Sequence, residues 1–331
     1  MDTVEFSQTV PRELVHRLSL AEVFLTGVLA RDEDTLDIGV QIPRSHVFYR
    51  DTAGCRHIYD PMVLVEAVRQ SLLMLGHDLF ERPFGTKFIL RDIAVHDADI
   101  TALAVRDVPT DVVLRCRIVR RFRGREGPKG ARLSYSALIG DRVAATLEGS
   151  MSWLTPAQWR AAREEGRATL GLPVQATFTA CESGPRIGEA LVDRRDTSNV
   201  VISPPELHLT PDGGETRTAR LLVDTSHPVL FDHPLDHVPG MLTLEAFRQL
   251  SIATAVQTGA LPSASAVLTG LKARFTGFGE LDLPITCESV QAEGDGGSAV
   301  LRCAMKQAGR TIADGELRLT RAPAEAGRWR S

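Results

Sequence analysis

The sequence predicts an α+β protein built from two like halves, each an antiparallel sheet wrapped around one central buried helix. Three observations predict it. A nine-residue block recurs about half a chain apart, the helix carrying it is apolar on nearly every side, and consecutive strand-like runs follow each copy. A chain of 331 residues suits two domains of about 150 each.

The repeat comes first. Residues 62–70 read Met-Val-Leu-Val-Glu-Ala-Val-Arg-Gln and residues 241–249 read Met-Leu-Thr-Leu-Glu-Ala-Phe-Arg-Gln, with five of nine positions identical. A second anchor precedes each block: Ser45-His46 leading to Asp51, and Ser226-His227 leading to Asp232. From His to Glu the spacing is 20 residues in one copy and 18 in the other. Two anchors in one order imply a duplicated domain.

Each half then reads in the same sequence of elements. A β-branched segment opens it (21–26; 199–203), a second strand runs into the Ser-His pair, and a loop rich in His, Asp and Pro leads to the helix. Pro61 and Pro239-Gly240 sit where proline and glycine suit a helix start. Strands are expected at 87–95, 112–123, 133–139 and 143–153, and again at 266–275, 284–293, 299–307 and 310–320. Thr155-Pro156 opens a polar helix to about residue 166, with Thr155 as N-cap. We divide the chain into an N-terminal domain (1–155), a helical linker (156–185) and a C-terminal domain (186–325). Gly213-Gly214 and residues 294–297 read as hairpin turns.

Composition removes several functions. The net charge of −4 gives no general attraction to nucleic acid or anionic membrane. The first twenty residues are interrupted by charges, and no uncharged apolar stretch of about 18 residues occurs, so we expect neither a secretory segment nor a membrane span. Cys55, Cys116, Cys181, Cys287 and Cys303 are scattered without a Cys-x-x-Cys pair, which points to a reducing cytoplasm and no zinc site. There is no Gly-x-Ser-x-Gly elbow, phosphate loop or dinucleotide fingerprint. Direct transfer assisted by an acid–base group fits better than a covalent mechanism.

Three constellations carry candidate chemistry. Glu66, Arg69 and Gln70 fall at i, i+3 and i+4 on one helix face, and Glu245, Arg248 and Gln249 repeat that stripe. A buried carboxylate needs a partner, so each stripe is either an ion pair that satisfies itself or a base beside an anion holder. The loop 231–241 places His233, His237, Asp232 and Asp236 before a helix N-terminus, where the amides of Gly240 and Met241 are free to polarise a carbonyl. Its spacing matches no zinc pattern, so no metal is expected. Arg115, Arg117, Arg120, Arg121, Arg123 and Arg125 form either the solvent face of a strand or a docking patch for an acidic partner.

Residues 233–246 resemble the His…Pro-Gly-x-Leu-x-x-Glu-Ala signature of hotdog-fold dehydratases, with a shorter His-to-Glu gap. They are more similar to the A-factor biosynthesis hotdog family of γ-butyrolactone synthases. The likeness rests on Pro43-Arg44-Ser45-His46, on Asp232 through Met241, and on Glu-Ala-x-Arg-Gln in both halves, and it spans roughly residues 15–320. It implies a tandem (double) hotdog and an acyltransferase that moves a β-ketoacyl group from acyl carrier protein to the hydroxyl of dihydroxyacetone phosphate, in autoinducer biosynthesis regulating secondary metabolism. No resident cofactor is implied, since the acyl group arrives on the carrier's phosphopantetheine.

Carried over, the resemblance implies that Glu245 takes the hydroxyl proton, with Glu66 its counterpart. Arg248 and Arg69 would hold the phosphate, the Gly240 and Met241 amides would face the thioester oxygen, and His233 would stand near the dehydratase histidine. His46, His227, Asp232, His237, Gln249 and Gln70 complete the substrate-binding set. Asp60-Pro61 replaces Pro239-Gly240 in the first half, which makes the second-half motif the better site. Hotdog sites straddle two units, so His46 or Glu66 facing the second-half loop stays open. So do a dehydratase, a thioesterase or a non-catalytic acyl-binding protein. Monomer and homodimer are both compatible with two hotdogs in one chain.

Overall fold

Six strands from each half join edge to edge in one antiparallel sheet of twelve, as the computed structural model describes it over residues 3–124, 127–175, 184–209 and 213–323. The first half supplies β1 (Leu25–Ala30), β2 (Thr35–Ile42), helix α1 (Met62–Asp78), β3 (Lys87–Ala98), β4 (Thr110–Gly124), β5 (Gly127–Ile139) and β6 (Arg142–Leu154). After helix α2 (Pro156–Ala168) come β7 (Glu206–Leu209), β8 (Glu215–Arg220), helix α3 (Gly240–Gln257), β9 (Ala266–Phe275), β10 (Thr286–Gly294), β11 (Ser298–Gln307) and β12 (Arg310–Arg321). The order β1-β2-β4-β5-β6-β3-β9-β12-β11-β10-β8-β7 reads alike from either edge. Its seam is β3 against β9, in register from Asp92↔Arg274 to Val95↔Leu271. This is the tandem hotdog.

Helix burial follows from composition. Every residue of α1 from Met62 to His77 is buried except Arg69, and α3 is buried from Met241 through Ala255. Along β4, Val112, Leu114, Cys116 and Ile118 turn inward while Arg115 and Arg117 face solvent, the period of two that a half-covered sheet demands. Arg115 pairs with Asp37 and Arg121 with Asp34 across the strands, so much of the arginine stretch is an ordinary basic strand face; Arg125 lies outside the described residues, as does Cys181. Cys55, Cys116, Cys287 and Cys303 are buried free thiols. No helix among the described residues is long and apolar enough to cross a membrane. No group of three or more His, Cys, Asp or Glu among them is arranged to hold a metal.

Two segments fold otherwise than their composition implies. Residues 20–22 and 197–199 form short 3-10 turns, the first strand starts only at Leu25, and Ile202 makes a single bridge to Leu221. The cause is a buried side-chain amide. Gln70 accepts from the Phe24 N–H and donates to the Glu22 carbonyl, and Gln249 does the same with Val201 and Asn199. Those backbone groups are thereby satisfied without a neighbouring strand. The expectation that Gln70 and Gln249 bind substrate is corrected by the same bonds: both are fully buried ties between helix and loop.

Candidate active site

Each half reaches into the other through a matched arginine. Arg17 follows a 3-10 turn closed by His16 in the left-handed region, and Arg194 follows one closed by Asp193 in the same conformation. Arg17 donates to Glu66 Oε1 (2.6 Å) and to the Val229 carbonyl of the other half. Arg194 donates to Glu245 Oε1 (3.1 Å) and to the Phe48 carbonyl of the first half. Asp232 accepts from the Leu18 and Ser19 amides, as Asp51 accepts from Arg195 and Asp196. Asp232 is thus a seam clamp.

The Ser-His pairs belong to this interlock and not to a binding surface. His46 Nδ1 accepts from the Phe48 and Tyr49 amides, and His227 Nδ1 from those of Val229 and Leu230. With Nδ1 accepting, the ring proton sits on Nε2, beside Glu22 in one half and Asn199 in the other. The expected substrate-binding roles of His46 and His227 give way to turn capping.

Both glutamates are fully buried and ionised. Arg69 grips Glu66 through Nε and Nη2, each at 2.8 Å, and Arg248 grips Glu245 at 3.0 and 2.9 Å. Burial raises each carboxyl, but the attraction of Arg17 and Arg69, or of Arg194 and Arg248, outweighs it and holds both at about 2. A carboxyl depressed in the folded state adds stability above its unfolded value and loses it as pH falls through the folded value. Melting temperature should therefore stay level from pH 7 to about 5 and drop steeply from there toward pH 2. Glu66→Gln and Glu245→Gln variants, less stable at pH 7, should each show a shallower drop when followed by circular dichroism.

Only one of the two stripes opens onto space. A cleft of about 340 Å³ lies between the halves. Its first-half wall carries His16, Arg17, Arg69 and Arg91, and its second-half wall His233, His237, Gly240 and Met241; Leu72, Phe88, Leu90, Met151, Phe275 and Ile312 form the apolar part. At the start of α3 the Leu242 and Thr243 amides donate to the Pro239 carbonyl. Those of Gly240 and Met241 have no acceptor among the described residues, and both residues border the cleft. A Cβ on Gly240 would stand 3.4 Å from Phe275 and 3.6 Å from Leu90, so the helix end approaches that wall closely. The N-terminal dipole adds partial positive charge there.

One cleft imidazole, His16, is held by a hydrogen bond from behind. His77 Nδ1 faces the Arg82 carbonyl at 2.7 Å and must carry the proton, so His16 donates from Nε2 to His77 Nε2 at 2.9 Å. Burial, with His77 and Arg69 nearby, pushes His16 down to about 4. Burial, then Arg17 and Arg69, push His233 down as well. At neutral pH His16 is an uncharged ring.

The counterpart position in the other half is closed to about 10 Å³. Pro61 has no N–H, the Met62 amide is taken by Asp60 Oδ1 (3.0 Å), and Asp193, in the place of His16, accepts from the Gly54 amide. Arg248 faces this closed side with 3% of its side chain exposed, against 20% for Arg69. The expected catalytic roles of Glu245 and Arg248 are thereby corrected, and the alternative the sequence left open, a first-half stripe facing the second-half loop, is the arrangement found. The loop carrying His233, His237, Gly240 and Met241 faces Arg69 and, behind it, Glu66; Glu245, Arg248 and Gln249 lie outside the open cleft.

Four contributors were not singled out from sequence: His16, Arg17, Arg91 and the linker residue Arg163. A signal existed for Arg17. Leu14-Val15-His16-Arg17 and Leu191-Val192-Asp193-Arg194 form a third repeat anchor, with the arginine 49 and 51 residues before its glutamate.

The A-factor biosynthesis hotdog domain matches residues 2–155 and 182–323 of the chain. A 2-oxo-3-(phosphooxy)propyl 3-oxoalkanoate synthase from Streptomyces virginiae is 35% identical over 88% of this chain and 90% of its own length. A protein of the same name from Streptomyces coelicolor is 29% identical over 83% and 80%. Among solved structures, an oleoyl thioesterase from Lactobacillus plantarum superposes with a TM-score of 0.51 at 12% identity, covering 88% of this chain and 98% of that one. The dehydratase domain of a mycocerosic acid synthase-like polyketide synthase does so at 0.50 and 13%, covering 90% and 95%. These two likenesses bear on the fold alone.

Proposed function

Because the chain belongs to the A-factor biosynthesis hotdog family, we propose that it is an acyltransferase moving a β-ketoacyl group from acyl carrier protein to the hydroxyl of dihydroxyacetone phosphate. The product named for its relatives is the 3-oxoalkanoate ester of that acceptor. One observation carries the reading: two unpartnered helix amides border a cleft whose opposite wall presents three arginines, Arg17, Arg69 and Arg91.

The roles follow from charge. Arg69 and Arg17 clamp the acceptor phosphate, with Arg91 adding positive charge at the same wall. The Gly240 and Met241 amides take the thioester oxygen as it becomes an oxyanion. The apolar walls receive the acyl chain, and the carrier's phosphopantetheine brings it to the cleft mouth. Glu66 has both oxygens engaged and titrates at about 2, so it orients the arginines and leaves the proton to a neutral imidazole. His233, beside Arg17 and Arg69, belongs to the phosphate end.

The test uses purified protein and a β-ketoacyl thioester, with and without dihydroxyacetone phosphate. Thiol release and ester formation that require the acceptor are expected. Equal thiol release without it would make the protein a thioesterase, and saturable binding without turnover would make it an acyl-binding protein.

A further inference from the structure

We propose that His237 and Asp236, held from behind by Arg163 of the linker helix α2, form the proton-accepting unit of the transfer. The inference rests on the acyl-transfer reading and makes α2, which has no counterpart among the described residues of the second half, part of the active site.

The tautomer is settled by chemistry. His237 Nδ1 lies 2.7 Å from Asp236 Oδ1. Burial would raise the Asp236 carboxyl, but its bond to His237 and the attraction of His237 and Arg163 hold it at about 2. An ionised carboxylate only accepts, so Nδ1 carries a hydrogen, and in the neutral ring the lone pair is on Nε2. Nε2 has no protein partner among the described residues, and His237 borders the cleft three residues before the Gly240 amide.

Arg163 fixes this pair. It is buried, donates through Nε to Asp236 Oδ2 (3.3 Å) and through Nη2 to the Asp236 carbonyl (3.0 Å), and grips Glu280 with both terminal nitrogens. Its guanidinium stands 4.9 Å from the Phe278 ring. Trp159, one turn earlier on α2, and Phe278 flank the His237 ring at 5.7 and 5.2 Å. Such backing restricts the imidazole to one orientation, which a base acting in a transition state requires. His233 has no such support: its Nδ1 is 3.6 Å from Asp232 Oδ2, and that carboxylate already receives the Leu18 and Ser19 amides.

In the step, the acceptor hydroxyl gives its proton to His237 Nε2 while its oxygen bonds to the thioester carbon. The oxyanion rests on the Gly240 and Met241 amides. As it collapses the C–S bond breaks, and the thiolate takes the proton from Nε2 and leaves as free thiol.

Steady-state kinetics of the full chain with a β-ketoacyl-pantetheine thioester and dihydroxyacetone phosphate test this. His237→Gln should lower kcat about 10²- to 10⁴-fold with little change in acceptor KM, while His233→Gln should raise acceptor KM and spare kcat. Arg163→Gln should lower kcat about tenfold and move the acid limb of the kcat–pH profile upward. Removing that cation leaves Asp236 freer to stabilise the imidazolium. Arg163→Lys should restore part of both. If Arg163→Gln does not fold, Asp236→Asn, which keeps the shape and loses the charge, should match the His237→Gln loss. Turnover that survives His237→Gln but not His233→Gln overturns the inference, as does an unmoved pH profile in Arg163→Gln. A wild-type protein without acceptor-dependent ester formation would instead remove the acyl-transfer reading itself.

Discussion

Arg69→Met is expected to reduce kcat/KM for dihydroxyacetone phosphate by about 10²- to 10³-fold, a loss of roughly 3–4 kcal/mol from two charge-assisted hydrogen bonds to one phosphate. Most of the loss should fall on KM, because the phosphate is held equally in ground and transition states. Arg69→Lys should recover little, since a point charge cannot grip Glu66 and a phosphate together as the guanidinium fork does. Arg17 and the rest of the interlock remain, so melting temperature should shift far less than activity. Steady-state kinetics with the acceptor varied would check it, and an unchanged acceptor KM would move the phosphate site elsewhere.

Glu245→Gln is expected to act on folding. The carboxylate is enclosed between Arg194 and Arg248, and removing its charge leaves two buried cations facing one neutral amide. Breaking a buried pair in this way costs about 3–5 kcal/mol, which at about 2–4 °C per kcal/mol lowers Tm by roughly 10 °C. The folded fraction should keep kcat within about threefold, because the stripe faces the closed side and a surface or structural change spares chemistry done elsewhere. A collapse of kcat at unchanged Tm would return Glu245 to the role of acid–base group. Paired measurements on Glu66→Gln should differ, losing stability and activity together.

Much of this protein was legible in its residues, and the reason is local. The nine-residue block, the apolar helices, Thr155 as cap of α2 and the alternation in β4 are short-range patterns, and each forms the element its pattern implies. The failures were also local readings. β-Branched residues near 21–26 and 199–203 suggested strands, but Gln70 and Gln249, nearly 50 positions away, take up the backbone groups there.

By itself the sequence determined the duplication, the two-hotdog architecture, the paired Glu/Arg stripes and a loop ending in two unshielded amides. Which stripe meets that loop was decided only by tertiary structure. The loop bordering α3 faces Arg69 of the other half, because Arg17 and Arg194 cross the seam and dock each half's carboxylate against its partner's turn. Nothing in residue spacing encodes that exchange. It arises where buried carboxylates must find cations, and the nearest free ones arrive from segments about 50 residues upstream. The same packing left one side open and filled the other with Asp60, Pro61 and Asp193, so in a near-symmetric chain one position has a cleft of about 340 Å³ while its counterpart is closed to about 10 Å³.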